Sequence, residues 1–263
     1  MAPNGPQRMA AALEHLQGLS REWSDIPLII MLQEMDSRDL AIIRKNQWVQ
    51  SGFHVTDIFT ARWVGAYGTV TLVDHRLPLL EVFRVRYESR MGRDALFADI
   101  GMPGKNQPVL RLCNTHLESL RAEPPLRPAQ VARASQQLQL TDCGIMAGDF
   151  NAIEDFDTSL HLENEMLDTF LELGHQDEAE EGWTWGMHSE SGKKYGCRRM
   201  DKVLFRGNLK IASLERLGQG LKIDVGKWGS QYVTDHLGLV AVFEWIDSSN
   251  VGEDGEASDR PSS

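Results

Sequence analysis

The chain has 263 residues, of which 41% are apolar and 25% charged, and its formal net charge is −11. A chain of this length buries a core without disulfide or metal staples. Three cysteines with no CxxC pair exclude a disulfide framework, a zinc ribbon and a thioredoxin-like centre, and the acidic balance excludes a protein that coats nucleic acid through its overall field.

In chain order, residues 6–23 open on Pro6 and space Met9, Leu13, Leu16 and Leu19 as an amphipathic helix. Leu28 to Leu32 is a short apolar run of the kind buried on both faces of a sheet. Ser37 to Gln50 reads as a helix with Ser37 as N-cap. Strands are predicted at 53–60, 66–73, 80–86, 95–101 and 108–115, a helix at 128–140, a strand at 144–147 and a helix at 163–173. Strands follow at 199–206, 209–217 and 237–245. With no composition break before residue 245, one α/β domain is expected over 1–245, with sheets packed face to face under helices. Residues 246–263 hold five acids against Arg260 and almost nothing to bury, so a disordered acidic tail is expected. No apolar run approaches the ~20 residues that cross a bilayer, and residues 1–20 lack the pattern of a signal peptide. An intracellular protein with reduced, mostly buried thiols is expected.

Polar residues cluster where apolar strands end. Leu28–Leu32 runs into Gln33-Glu34, Val109–Cys113 into Asn114-Thr115-His116, and Ile145–Ala147 into Gly148-Asp149-Phe150-Asn151. Arg199-Met200-Asp201 opens a strand, and Thr234-Asp235-His236 precedes the last one. Alone, each of these is an ordinary turn or a solvated strand end. Together they can converge at one rim of the sheets, where loops on a rigid scaffold carry function. Oxygen ligands from Glu34, Asp149 and Asn151 suit a hard ion, Mg²⁺ or Mn²⁺. Phosphoester hydrolysis needs a positioned water, stabilisation of developing charge and help for the leaving oxygen. Asp149 and Asn151 suit the water and the phosphate, and His116 and His236 suit hydrogen-bond donation. Asp235 adjoins His236, and Asp201 can set a histidine tautomer without the sequence saying which.

These five motifs, in this order and spacing, resemble the endonuclease/exonuclease/phosphatase superfamily with its DNase I-like fold. Within it, His116-Leu117-Glu118-Ser119, Trp183-Thr184-Trp185 and Thr234-Asp235-His236-Leu237-Gly238-Leu239 are similar to the tyrosyl-DNA phosphodiesterase 2 branch. The resemblance implies a four-layer sandwich of two packed mixed β-sheets flanked by helices. It implies a Mg²⁺- or Mn²⁺-dependent phosphodiesterase acting on 5′-phosphotyrosyl DNA ends or protein–DNA adducts, monomeric, off the membrane, and nuclear or cytoplasmic. Carried over motif by motif, Glu34 is the metal ligand, and His116, Asp149, Asn151, Asp201, Asp235 and His236 are catalytic. Asn114, Tyr67, Arg93 and Trp185 contact substrate. Tyr67 has core packing as its rival fate, Arg93 competes with Arg90, and Trp185 either stacks on a base or tyrosine ring, worth ~1–3 kcal/mol, or is buried. Lys193, Lys194, Arg198 and Arg199 form a basic cluster that either tracks a DNA backbone or is a solvated loop.

The family pattern begins with a strand ending in Trp-Asn. Here Met1-Ala2-Pro3-Asn4-Gly5-Pro6 leads straight into the first helix. A fold lacking that first strand is therefore expected, and Asn4 is not assigned to the metal. Two alternatives stay open: another phosphoesterase of the fold, such as an apurinic-type nuclease or phosphoinositide phosphatase, or a non-catalytic phosphate- or partner-binding module.

Overall fold

Continuous apolar runs build the central layer. In β5 (Asp94–Gly101), β6 (Val109–His116) and β7 (Cys143–Asp149) nearly every residue is buried, as expected of strands covered on both faces. The computed structural model describes residues 4–104 and 106–246. The expected disordered tail falls outside the described residues, save Ile246. The central sheet adds β4 (Leu79–Arg86), β9 (Asp201–Arg206) and β8 (Leu167–Asp168), in the order β4-β5-β6-β7-β9-β8. Only β6 and β7 pair in parallel; the other pairs are antiparallel.

A second layer covers one face in two antiparallel pieces. One is β1 (Ile29–Met35), β3 (Gly68–Asp74) and β2 (Phe53–Val55), in the order β1-β3-β2. The other pairs β10 (Leu209–Leu217) with β13 (Gly238–Trp245). Ala98, Ile100, Leu112, Ile145 and Phe205 of the central sheet pack against Ile29 and Met31 of β1 and Leu239 and Phe243 of β13. β1 lies over β6 and β7, and β13 over β9, so these two edge strands border a seam in the layer.

Helices close both outer faces. α1 (Gly5–Ser20) buries Met9 and Leu13 with Leu40 and Ile43 of α2 (Ser37–Lys45) over Val70 and Leu72. α4 (Arg127–Leu138) buries Val131, Ala134 and Leu138 against Phe97, Cys113 and Met146. The result is the DNase I-like four-layer sandwich. No strand precedes α1 among the described residues, and no described helix is long and apolar enough to cross a membrane.

Several boundaries differ from the periodicity, each for a local reason. The helix expected to Gln50 breaks at Asn46, whose extended backbone and side-chain bond to the Val49 amide start α3 (Gln47–Gly52). The helix expected at 163–173 is three elements: α5 (Leu160–Glu163), β8, and α6 (Thr169–Glu172). Asp168 interrupts it, because its carboxylate caps α6 at the Phe170 amide while pairing with Arg199. The strand predicted at 53–60 stops at Val55. Unforeseen are α7 (Glu190–Tyr195) and the hairpin of β11 (Lys222–Asp224) and β12 (Ser230–Tyr232).

Candidate active site

Strand register assembles the site. The parallel β6–β7 ladder sets His116 beside Asp149, and the antiparallel β7–β9 ladder sets Asp149 beside Asp201. Side chains of paired residues share a face, so three groups from distant motifs form one row at the rim. Gly148 lets β7 pass there: with φ +141°, a Cβ would lie 2.0 Å from the Thr115 carbonyl oxygen, a position only glycine tolerates. His236 arrives by a separate route, through isolated bridges of Trp185 to Arg198 and to His236.

The row is a chain of polar contacts, hydrogen-bonded at both ends. Arg93, 5% exposed, donates from Nη1 to Nδ1 of His116 at 2.9 Å. A guanidinium only donates, so Nδ1 is the acceptor and the His116 proton sits on Nε2. That nitrogen lies 3.2 Å from Asp149 Oδ2. On the other side, His236 Nδ1 meets Asp201 Oδ2 at 2.7 Å, and its Nε2 lies 4.0 Å from Asp149 Oδ2.

Charge follows this geometry. Burial would lower the His236 pKa, but Asp201, by charge and hydrogen bond, with Asp149 and Asp235 by charge, raises it to about 10. His236 is thus an imidazolium at neutral pH. Burial would raise the Asp149 carboxyl. The His116 hydrogen bond, the His236 charge and the Asn151 amide outweigh burial and hold it below the usual carboxylate range. Asp149 is ionised between two donors.

The remaining predicted residues fall around this chain. Tyr67 is half-buried, with Arg93 over its ring at 5.1 Å and the His116 ring 6.3 Å away. Asn151, buried and at φ +47°, donates its amide N–H to Asp149 Oδ1 at 2.8 Å and its side chain to the Leu117 carbonyl. It fixes the orientation of Asp149. Trp185 is half-buried and tied by backbone to His236. Asp235 is exposed and acts on His236 through charge alone; Asp201 is the histidine's partner. Asn114 corrects the expectation of substrate contact. It is 0% exposed, accepts from Gln33 and donates to the carbonyls of Leu32 and Val70, bracing the two layers from behind the row. Arg199 leaves the expected basic cluster: it is buried, bidentate to Asp168 and paired with Asp177.

Sequence reasoning missed two supports. Thr184, 1% exposed, accepts from the amides of Met200 and Asp201, which fixes the start of β9. Glu118 accepts from Ser89 Oγ, which in turn accepts from the Met91 and Arg93 amides, so this carboxylate holds the loop that aims Arg93. Both sit inside quoted motifs; only register reveals their roles.

Asp149, Asp201 and His236 each offer a ligand atom within 4.8 Å of the others, a grouping able to hold a metal ion. Their lone pairs already serve one another. Glu34 is different: exposed, at φ +60° in a bulge of β1, it makes no hydrogen bond or ion pair among the described residues. It follows Gln33, which bonds Asn114 on the row's own strand. A free carboxylate at this rim fits a hard cation that keeps most of its water and takes one or two carboxylates plus substrate oxygens.

A model of the Endonuclease/Exonuclease/phosphatase family matches residues 3–236. No curated protein sequence matches. Solved structures do: truncated Caenorhabditis elegans TDP2 (tyrosyl-DNA phosphodiesterase 2) is 22% identical, covers 90% of each chain and has a TM-score of 0.69. D. rerio TDP2 complexed with single strand DNA product is 19% identical, covers 90% of this chain and 92% of that one, with a TM-score of 0.67. The human Nocturnin catalytic domain with bound sulfate is 19% identical, covers 91% and 86%, with a TM-score of 0.64.

Proposed function

The chain belongs to the endonuclease/exonuclease/phosphatase family, and from that premise we propose that it is a metal-dependent phosphodiesterase acting on 5′-phosphotyrosyl DNA ends. The observation that carries this reading is one ionised carboxylate, Asp149, set between two imidazole N–H groups. Asp149 orients water and takes its proton. The Nε2–H groups of His116 and His236 stabilise charge as it develops on the phosphoryl oxygens, and the imidazolium does so with a full positive charge. Asn151 keeps Asp149 from rotating out of line.

Mg²⁺ or Mn²⁺, held at Glu34, supplies further charge neutralisation when bound. For the substrate, the reading rests on motif likeness and on the aromatic side chains beside the row. Tyr67 and Trp185 offer surfaces for a phenolate leaving group or a terminal base, whereas Arg93, expected to contact substrate, is buried behind His116 and positions it. The protein is proposed to act as a monomer on DNA ends or protein–DNA adducts, in the nucleus or cytoplasm.

The test is release of tyrosine from a 5′-tyrosyl oligonucleotide with Mg²⁺. Asp149→Asn should lower kcat by about 10²–10⁴, the range for losing a general base. Wild-type turnover no faster than that of the variant would sink the reading.

A further inference from the structure

Leu120 is held in an unfavourable conformation four residues beyond His116. Its backbone is left-handed, at φ +64°, and its side chain is 67% exposed. Leucine gains nothing from that region, which suits glycine or asparagine. The conformation is imposed from inside. Arg127, 3% exposed and paired with Asp157 at 2.7 Å, donates from Nη1 to the carbonyls of Glu118 and Leu120. A buried guanidinium thus fixes a turn that presents an apolar side chain to water. Strain that the surroundings hold in place points to function.

Two more loops meet this turn. Ser119 Oγ donates to the sulfur of Met91 at 2.9 Å. Beside Met91, a Cβ on Gly92 would lie 3.3 Å from Gly65 Cα and 3.6 Å from the Val64 carbonyl carbon, so these backbones are in close contact. Val64 is 40% exposed and Met91 half-buried. Arg93 joins the loops to the row: its Nη2 lies 3.8 Å from the Met91 sulfur and 3.5 Å from Ser119 Oγ, while its Nη1 bonds His116. We propose that Val64, Met91 and Leu120 form an apolar shelf at the His116 end of the row, and that the shelf takes the side chains flanking the tyrosine in a polypeptide leaving group. The proposal rests on the phosphodiesterase reading and adds the class of adduct preferred, one whose tyrosine lies between apolar residues.

Charge selects this occupant. The phosphodiester of an adduct has one polyanionic substituent and one polypeptide substituent. Around the shelf, Arg90 and Arg121 are matched by Glu123 and Glu154: Arg90 reaches the Glu123 carbonyl at 3.1 Å, and Arg121 pairs with Glu154. Arg93 is turned inward onto His116. This flank therefore offers carbon and sulfur with no net positive field, which attracts no run of phosphates and suits uncharged side chains. The cations Arg8, Lys193 and Lys222 lie instead beside Asp235, at the opposite end of the row. A thioether adapts to side chains of different shape, and a turn already clamped by Arg127 costs no ordering when a peptide settles on it.

The experiment compares three conjugates of one 3′-labelled oligonucleotide, joined at its 5′ phosphate to the tyrosine of Leu-Tyr-Leu, Gly-Tyr-Gly or Asp-Tyr-Asp. Binding is read by anisotropy in EDTA, and hydrolysis with Mg²⁺. Wild type should bind the leucine conjugate about fivefold more tightly than the glycine one, the scale for partly burying apolar side chains, and should show the same ratio in kcat/KM, through KM. Leu120→Asn should bring both ratios to about one. Asparagine accepts the left-handed backbone, so the Tm of this variant should equal or exceed that of wild type, which separates a lost contact from a folding defect. Leu120→Met should keep the preference. A binding preference that Leu120→Asn abolishes, in a wild type that hydrolyses no conjugate, leaves the shelf standing and ends the phosphodiesterase reading. Robust hydrolysis with equal ratios in wild type ends the shelf and leaves the reaction. A preference that persists in Leu120→Asn, or one for the aspartate conjugate over the leucine conjugate, also overturns the shelf.

Discussion

Asp149 is flanked by two histidines held in opposite ways. His116 is 4% exposed and clamped, with an arginine on one nitrogen and Asp149 on the other. His236 is half-buried in the short connection between β12 and β13, with a carboxylate on its inner nitrogen. The inner group decides what each ring can do. A guanidinium behind His116 fixes which nitrogen holds its proton, whereas a carboxylate behind His236 fixes its charge. Two copies of one side chain therefore give the site one oriented neutral-type donor and one cationic donor.

Removing the group behind His236 should have the larger effect. Asp201→Asn deletes the main stabiliser of the imidazolium. The expected loss in kcat is about 10²–10³, the scale for losing one charged transition-state donor. The alkaline limb of the pH–rate profile, set near pH 10 by His236, should move down toward its ordinary value. A pH–rate series on both proteins measures it. An unmoved alkaline limb would show that Asp201 does not govern this charge.

What the sequence reveals of this site and what it conceals divide along physical lines. The apolar runs of β5, β6 and β7 announce strands because burial on both faces demands unbroken hydrophobicity. Chemistry-bearing residues at their ends stand out against that background, so Glu34, His116, Asp149 and His236 were legible. Pairing was not. Asp201 could serve either histidine until the β7–β9 register and the Trp185 bridge placed it at His236. Asn114 and Arg199 look catalytic or DNA-facing in sequence but are buried and held by partners more than 20 residues away. Asp168 misleads most: its capping and pairing break what periodicity reads as one helix.

Removing the group behind His116 should cost less. Arg93→Met keeps bulk against Tyr67 but frees Nδ1 of His116. The proton then distributes over both ring nitrogens, so kcat falls about tenfold, at the low end of what a mispositioned donor costs. The alkaline limb should stay where it is, because Arg93 makes no contact with His236. Nitrogen NMR of the His116 ring should show one tautomer in wild type and a mixture in the variant. A single tautomer in both would remove Arg93 as the positioning residue.

The smallest effect is on stability, and it has a definite sign. His236 has a folded-state pKa of about 10 against an ordinary 6.5, so folding takes up a proton where the unfolded chain would release it. Its contribution is full below about pH 6.5, shrinks steadily as pH rises between the two values, and is gone above about 10. Lysines and tyrosines also titrate near the upper end, so the informative quantity is the comparison with Asp201→Asn, in which His236 no longer holds its proton so far up. The gap in Tm between the two proteins should narrow by about 2–4 °C from pH 7 to pH 10, equivalent to about 1 kcal/mol for a chain of this size. Parallel Tm curves across that range would mean that the imidazolium contributes only to chemistry. The same scan on Arg93→Met should run parallel to wild type, because that substitution leaves the Asp201–His236 pair intact.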